Sequence, residues 1–191
     1  MRSVQSWQLI VSSLHFEEQF TYINTNVRKV GCMQIRRCTK ADYDEIIAHI
    51  EDFWGSNRTL GLHHPMFVYE FGNSAYVIKD GDCVAAYLFG FLSQTEPTAY
   101  VHLIGVRTAY RRRGLAPCLY DHFVTFAQAH GCTELKAVTT PGNNESLQFH
   151  QASGMELTGT PNRDGIPVIE NYAGPGQNRV VLRRKLSLSS R

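Results

Sequence analysis

Apolar positions along this chain switch between two periods, and the switches divide it into elements. Met33-Gln34-Ile35-Arg36-Arg37 alternates as a half-buried strand does. Thr39 and Asp42 form a capping pair, and Ile46, Ile47, Ile50 and Phe53 follow at helical spacing until Gly55. A connector at 56–73 carries His63-His64-Pro65 and a short helical run from Met66 to Phe71. Ser74 to Lys79 reads as a strand, Asp80-Gly81-Asp82 as a turn, and Cys83 to Leu92 as a central strand covered on both faces. Glu96-Pro97 marks a loop and Ala99 to Val106 the next strand.

Leu115, Leu119, Phe123, Phe126 and Ala127 then share one helical face, closed by Gly131. Glu134 to Thr139 is a short strand and Pro141-Gly142 a turn. Asn143 to Ser153 forms a helix stopped by Gly154. Residues 159–177 are rich in Gly, Pro and Asn, as loops are, and Val180 to Leu182 supplies a last strand. The predicted order is β-α-α-β-β-β-α-β-α-β-β, a mixed sheet with helices packed on it. Residues 1–32 lack clear periodicity and are expected to be an extension, with the domain at 33–186 and a tail at 187–191.

Composition narrows the function classes. The 19 Lys+Arg nearly balance 17 Asp+Glu, for a net charge of +2. That is a small basic excess for a nucleic-acid binder, so no nucleic acid is expected as partner. The five cysteines show no metal-ligand spacing, which fits reduced thiols of a cytoplasmic protein and no metal. Trp7 to Leu14 is apolar but too short to span a membrane. Arg2 before it suggests a signal peptide, whereas Glu17-Glu18 and the lack of an A-x-A-like cleavage site argue against one.

The chemistry concentrates at Val106 to Ala116, where a strand ends in a basic turn and a helix begins. Backbone N–H groups at a helix N-terminus favour an anion, and Arg111, Arg112 and Arg113 beside them suit a phosphate-bearing ligand. Positive charge at that end of a helix opposes its dipole, which argues against a purely decorative cluster.

Two motifs together resemble the GNAT superfamily of acetyl-CoA-dependent N-acetyltransferases. Val106, Arg111, Gly114 and Ala116 match V-x-P-x-x-R/Q-x-x-G-x-G/A, with Thr108 in place of the frequent proline. Asn143, Ser146, Phe149 and Gly154 match the later helix, with Met155 replacing the usual Phe. The resemblance implies a GNAT-like α/β (α+β type) fold, a mostly antiparallel central sheet flanked by helices and splayed at its middle strands. It implies acetyl-CoA as co-substrate. The amides near Arg112, Arg113, Gly114, Leu115 and Ala116 would hold the pyrophosphate. Strand Ile104-Gly105-Val106 and Asn143 would hold the pantetheine. Gly105 suits the bulge that opens the family's slot.

The family's tyrosine, which protonates the departing thiolate, is here His150. It is either an acid or a packed histidine without proton transfer. The glutamate some relatives use as base corresponds to Val138, and His102 is the substitute on offer, either a base or a half-exposed strand residue. His63-His64, Glu70, Glu170 and Tyr172 are either substrate-binding or loop surface, and Cys118 is read as a small core residue.

The expected activity is acetyl transfer to a small-molecule or protein primary amine by direct attack. The alternative is an acyl-CoA sensor without catalysis. An exposed edge strand near Val180 to Leu186 would suit a homodimer.

Overall fold

The computed structural model describes residues 29–30 and 33–187. The expectations for Trp7 to Leu14, and for most of the extension and tail, lie outside them. Ten strands are described: β1 (Lys29–Val30), β2 (Met33–Arg37), β3 (Ala75–Asp80), β4 (Cys83–Leu92), β5 (Thr98–Val106), β6 (Glu134–Thr139), β7 (Glu156–Thr158), β8 (Thr160–Pro161), β9 (Pro167–Val168) and β10 (Val180–Lys185). The helices are α1 (Lys40–Ala48), α2 (Ile50–Trp54), α3 (Met66–Tyr69), α4 (Leu115–Ala129) and α5 (Asn144–Ala152).

Eight strands form one sheet in the order β1-β2-β3-β4-β5-β6-β10-β7, and β8 pairs with β9 separately. All neighbours in the large sheet are antiparallel except β5 and β6. The mixed, mostly antiparallel architecture is thus as expected. The role of β10 is not. It lies between β6 and β7, so Val180 to Leu186 is no exposed edge, and the dimer argument built on it falls. The sequence signal missed was Glu156–Thr158, whose three residues are too few to show a period.

The sheet is covered on both faces. Helices α4 and α5 lie against Ile78, Ala86, Leu88, Val101 and Leu135. Helices α1 to α3 lie against Val77, Val84, Tyr87, Phe89 and Leu103. Strand β4 serves both layers, which is why its sequence is almost uniformly apolar. Thr39 and Asp42 complete a reciprocal capping box at α1. The single helix expected through Phe53 instead breaks at His49. Arg107 bridges the break. Its guanidinium meets Glu45 of α1 at 2.7 Å and Asp52 of α2 at 3.0 Å, while Nε donates to Val84 O at 2.7 Å.

Two details of β5 set the site. Val101 and Leu103 are two residues apart, yet they enter opposite core layers. Alternation forbids this in a regular strand. The β4–β5 register resolves it. Phe89 pairs Leu103 and Gly90 pairs Val101, so His102 is an extra residue, a bulge. The bulge expected at Gly105 therefore lies at His102. Gly105 is glycine for another reason: a Cβ there would stand 2.6 Å from the Tyr87 ring. The second detail is where β5 and β6 part. Their parallel pairing runs from Thr98↔Glu134 to Val101↔Ala137 and stops, leaving 102–106 without a strand on that flank.

Candidate active site

The gap between β5 and β6 opens into a cleft of about 1140 Å³. Its lining includes Ile104, Gly105 and Val106 on one wall and Val138, Thr139 and Asn143 on the other. Arg111, Arg112, Gly114, Leu115 and Ala116 stand at its basic end, with His102 and His150 also on it. The sequence-predicted site residues are thus brought together, with one exception. Arg113 does not line the cleft; its guanidinium stacks over the Tyr110 ring at 5.1 Å and donates to Ala109 O at 3.1 Å.

The basic turn is a run of unpaired donors. Among the described residues, the amides of Arg112, Arg113, Gly114, Leu115 and Ala116 have no acceptor, and the first amide used in α4 is Cys118 N to Gly114 O. Pro117 has no N–H to offer. Arg112 (φ 62°) and Gly114 (φ 76°) are both left-handed. Left-handed residues among right-handed ones turn successive amides toward one point, a nest for an anion. A non-glycine held there costs of order 1 kcal/mol or more, a strain typical of functional loops. Arg111 is tethered, with Nη2 donating to Phe53 O at 2.8 Å. Thr108, standing where proline is frequent, donates its hydroxyl to Asp52 O at 2.9 Å.

Asn143 caps α5 through Oδ1, which accepts from Ser146 N at 3.2 Å and leaves its NH2 group to the cleft. The flank of β5 at 102–106, with its backbone groups unmatched by a strand, can receive a polyamide arm as it would a strand.

His102 sits on the bulge and stacks on Phe67, ring centroids 4.6 Å apart. Its Nε2 is 3.0 Å from Leu62 O. A carbonyl only accepts, so Nε2 carries the proton and Nδ1 keeps a lone pair. Burial lowers its pKa, partly opposed by the Leu62 hydrogen bond, so the neutral form is favoured.

His150 is almost fully buried, and burial pulls its pKa down to about 4. Its Nδ1 lies 3.2 Å from the Tyr120 hydroxyl, which also approaches Met155 Sδ at 2.6 Å. Nε2 has no partner among the described residues and is not sealed in the interior, where Thr59 Oγ1 is the unpaired side-chain atom found. Since His150 lines the cleft, Nε2 opens there. An imidazolium donor at neutral pH is thereby disfavoured, which weakens the acid reading of His150.

Other candidates fall away from the cleft. His63 is core, not surface. Trp54 Nε1 donates to the Tyr87 hydroxyl (2.6 Å), which donates to His63 Nε2 (2.5 Å), while His63 Nδ1–H donates to Thr59 O (2.8 Å). Every polar atom of that chain is used, and burial lowers the His63 pKa. His64, Glu70, Glu170 and Cys118 do not line the cleft, and neither does Tyr172, whose ring lies 5.3 Å from Lys136 Nζ. Sequence reading missed Tyr120, Arg58, Arg107 and Arg179. A tyrosine on the apolar face of α4, needing a partner for its hydroxyl, was the available signal for the first.

Residues 43–155 match the family model described as acetyltransferase (GNAT) family. An aminoglycoside N(6')-acetyltransferase type 1 of Acinetobacter genomosp. 13 is 27% identical over 124 residues, 65% of this chain and 82% of the relative. Among solved structures, Ard1 from Thermoplasma volcanium superposes with a TM-score of 0.63 at 18% identity, over 82% of this chain and 99% of that one. A Bacillus subtilis acetyltransferase in complex with CoA gives 0.53 at 16% identity, over 81% and 98%.

Proposed function

The chain belongs to the GNAT acetyltransferase family and is an acetyl-CoA-dependent acyltransferase, and from that premise we propose that it acetylates a primary amine by direct attack in a ternary complex. The observation that carries the proposal is the set of unpaired amides at Arg112, Gly114, Leu115 and Ala116, residues that line the cleft between β5 and β6. In this reading the transferase domain is 33–186.

The pyrophosphate of acetyl-CoA sits on the amides of Arg112 to Ala116, with Arg111 and Arg112 adding charge. The pantetheine runs along Ile104, Gly105 and Val106, with Asn143 on the far side, and brings the thioester toward the bulge. The acceptor nitrogen forms a bond to the carbonyl carbon and passes a proton to Nδ1 of His102, whose Nε2–H stays on Leu62 O. A backbone N–H of the open β5 flank receives the oxyanion. The C–S bond then breaks and CoA leaves as the thiolate.

His150 serves that thiolate as a neutral donor. An imidazole nitrogen is a far better acceptor than a thioether, so the Tyr120 proton goes to Nδ1 and the ring proton to Nε2, facing the cleft. Tyr120 is a positioning residue, since it does not line the cleft. Giving up its proton would leave a buried tyrosinate, and burial raises its pKa, so it orients rather than donates to substrate.

Thiol release from acetyl-CoA with a panel of amines tests the activity. Amine-dependent release supports transfer. Tight acetyl-CoA binding with no release for any amine would support the sensor instead. Tyr120→Phe should lower kcat with KM for acetyl-CoA held, and should change the His150 tautomer seen by 15N NMR. An unchanged tautomer would refute the positioning role.

A further inference from the structure

Four arginines line the cleft: Arg58, Arg111, Arg112 and Arg179. Among the described residues none has a carboxylate partner; Arg36, Arg107 and Arg183 outside it have one, and Arg37, Arg113, Arg163 and Arg184 do not. The one lining carboxylate is Glu145, in the first turn of α5. What sets the cleft apart is that four such arginines share one lining with a single carboxylate.

The phosphates of CoA account for Arg111 and Arg112, which belong to the basic turn. Arg58 and Arg179 come from elsewhere. Arg58 lies in the connector after α2, next to Thr59. Arg179 directly precedes β10; its guanidinium donates to Asn178 O at 2.9 Å and Gln177 Oε1 at 3.1 Å. Those neutral acceptors fix the group without cancelling its charge. Thr59 also lines the cleft, and its buried Oγ1 has no partner, a hydrogen bond left unmade in the protein. Trp54, Tyr100 and His102 line the same cleft.

We infer that the acceptor is an amine carrying its own carboxylate, held by Arg179 and Arg58 while its amine meets His102. The inference rests on the transferase reading and names its substrate class. Two physical effects support it. A polycationic acceptor, such as the aminoglycosides named for the Acinetobacter relative, would meet like charge in a cleft that offers one carboxylate. A zwitterionic acceptor is attracted through its acid, and the same arginines disfavour its ammonium form, easing loss of the proton that must precede attack.

The test compares three acceptors at fixed ionic strength: an ω-amino acid, its amide, and an aminoglycoside, with acetyl-CoA saturating and thiol release as readout. The amino acid should exceed its amide in kcat/KM by about tenfold or more, as expected for a charge-assisted contact. The double substitution Arg58→Gln, Arg179→Gln should collapse that ratio toward one. Equal rates for acid and amide in the unmodified protein, preference for the aminoglycoside, or a ratio that survives the double substitution would each overturn the inference. Should the double variant fail to fold, the unmodified protein's ratio decides alone. Absence of turnover with all three acceptors would overturn the transferase reading. Calorimetry on the CoA-saturated protein separates the two: carboxylate-dependent binding without turnover keeps the site, and no such binding removes it.

Discussion

Burial of neutral His150 should make the protein acid-sensitive in a window set by that one residue. An unfolded histidine titrates near 6.5, and in the fold the value is about 4. Between those values the unfolded chain binds a proton that the native state refuses. Stability from this residue is therefore whole above about pH 6.5, is lost as pH falls, and levels off below about 4. The interval corresponds to about 3 kcal/mol, a large part of a typical domain's stability. Other groups titrate as well, His63 and His102 among them, so the measurement is a difference. Urea denaturation of the unmodified protein and of His150→Gln is followed from pH 8 to pH 4. Glutamine keeps a polar group near Tyr120 but cannot take up a proton. The variant should be less stable at pH 8 and should gain on the unmodified protein by about 3 kcal/mol as pH falls to 4. A stability difference that stays constant across the range would refute the reasoning, because His150 would then titrate alike in both states. It would also reopen its role as a protonated acid.

Three further outcomes follow from the same geometry. Gly105→Ala places a Cβ 2.6 Å from the Tyr87 ring, whose hydroxyl is held by Trp54 and His63, so it should cost about 1–3 kcal/mol in a denaturant titration. Arg107→Ala removes a nearly buried guanidinium from Glu45, Asp52 and Val84 O, and should destabilise by about 2–4 kcal/mol, with α1 and α2 gaining amide exchange. Arg112→Gly relieves a left-handed arginine, so thermal stability should hold or rise slightly while acetyl-CoA binding, read by calorimetry, weakens through the lost charge.

Local patterns carried most of the fold. The capping box at Thr39, the apolar stripe of α4 and the doubly covered β4 are each written in neighbouring residues, and each formed as read. The basic turn before α4 was legible for the same reason, since its glycine, arginines and following helix are contiguous. What failed were readings that depended on a partner distant in sequence. Gly105 marks no bulge because its constraint is Tyr87 across the strand pair. Val180 to Leu186 is not an edge because three residues, Glu156–Thr158, pair alongside β10. His63, polar and in a loop by sequence, is core because Tyr87 and Thr59 O satisfy both its nitrogens.

The sequence by itself determined the order of elements and the turn with its exposed amides, because propensity, capping and amide exposure act over a few residues. Only the tertiary structure decided the state of the chemistry. It put His102 on a bulge with Nε2–H donating to Leu62 O, buried His150 against Tyr120, and left Arg58 and Arg179 without a carboxylate partner among the described residues. Protonation, tautomer and net field depend on burial and on groups that meet across tens of residues, and no local pattern specifies those.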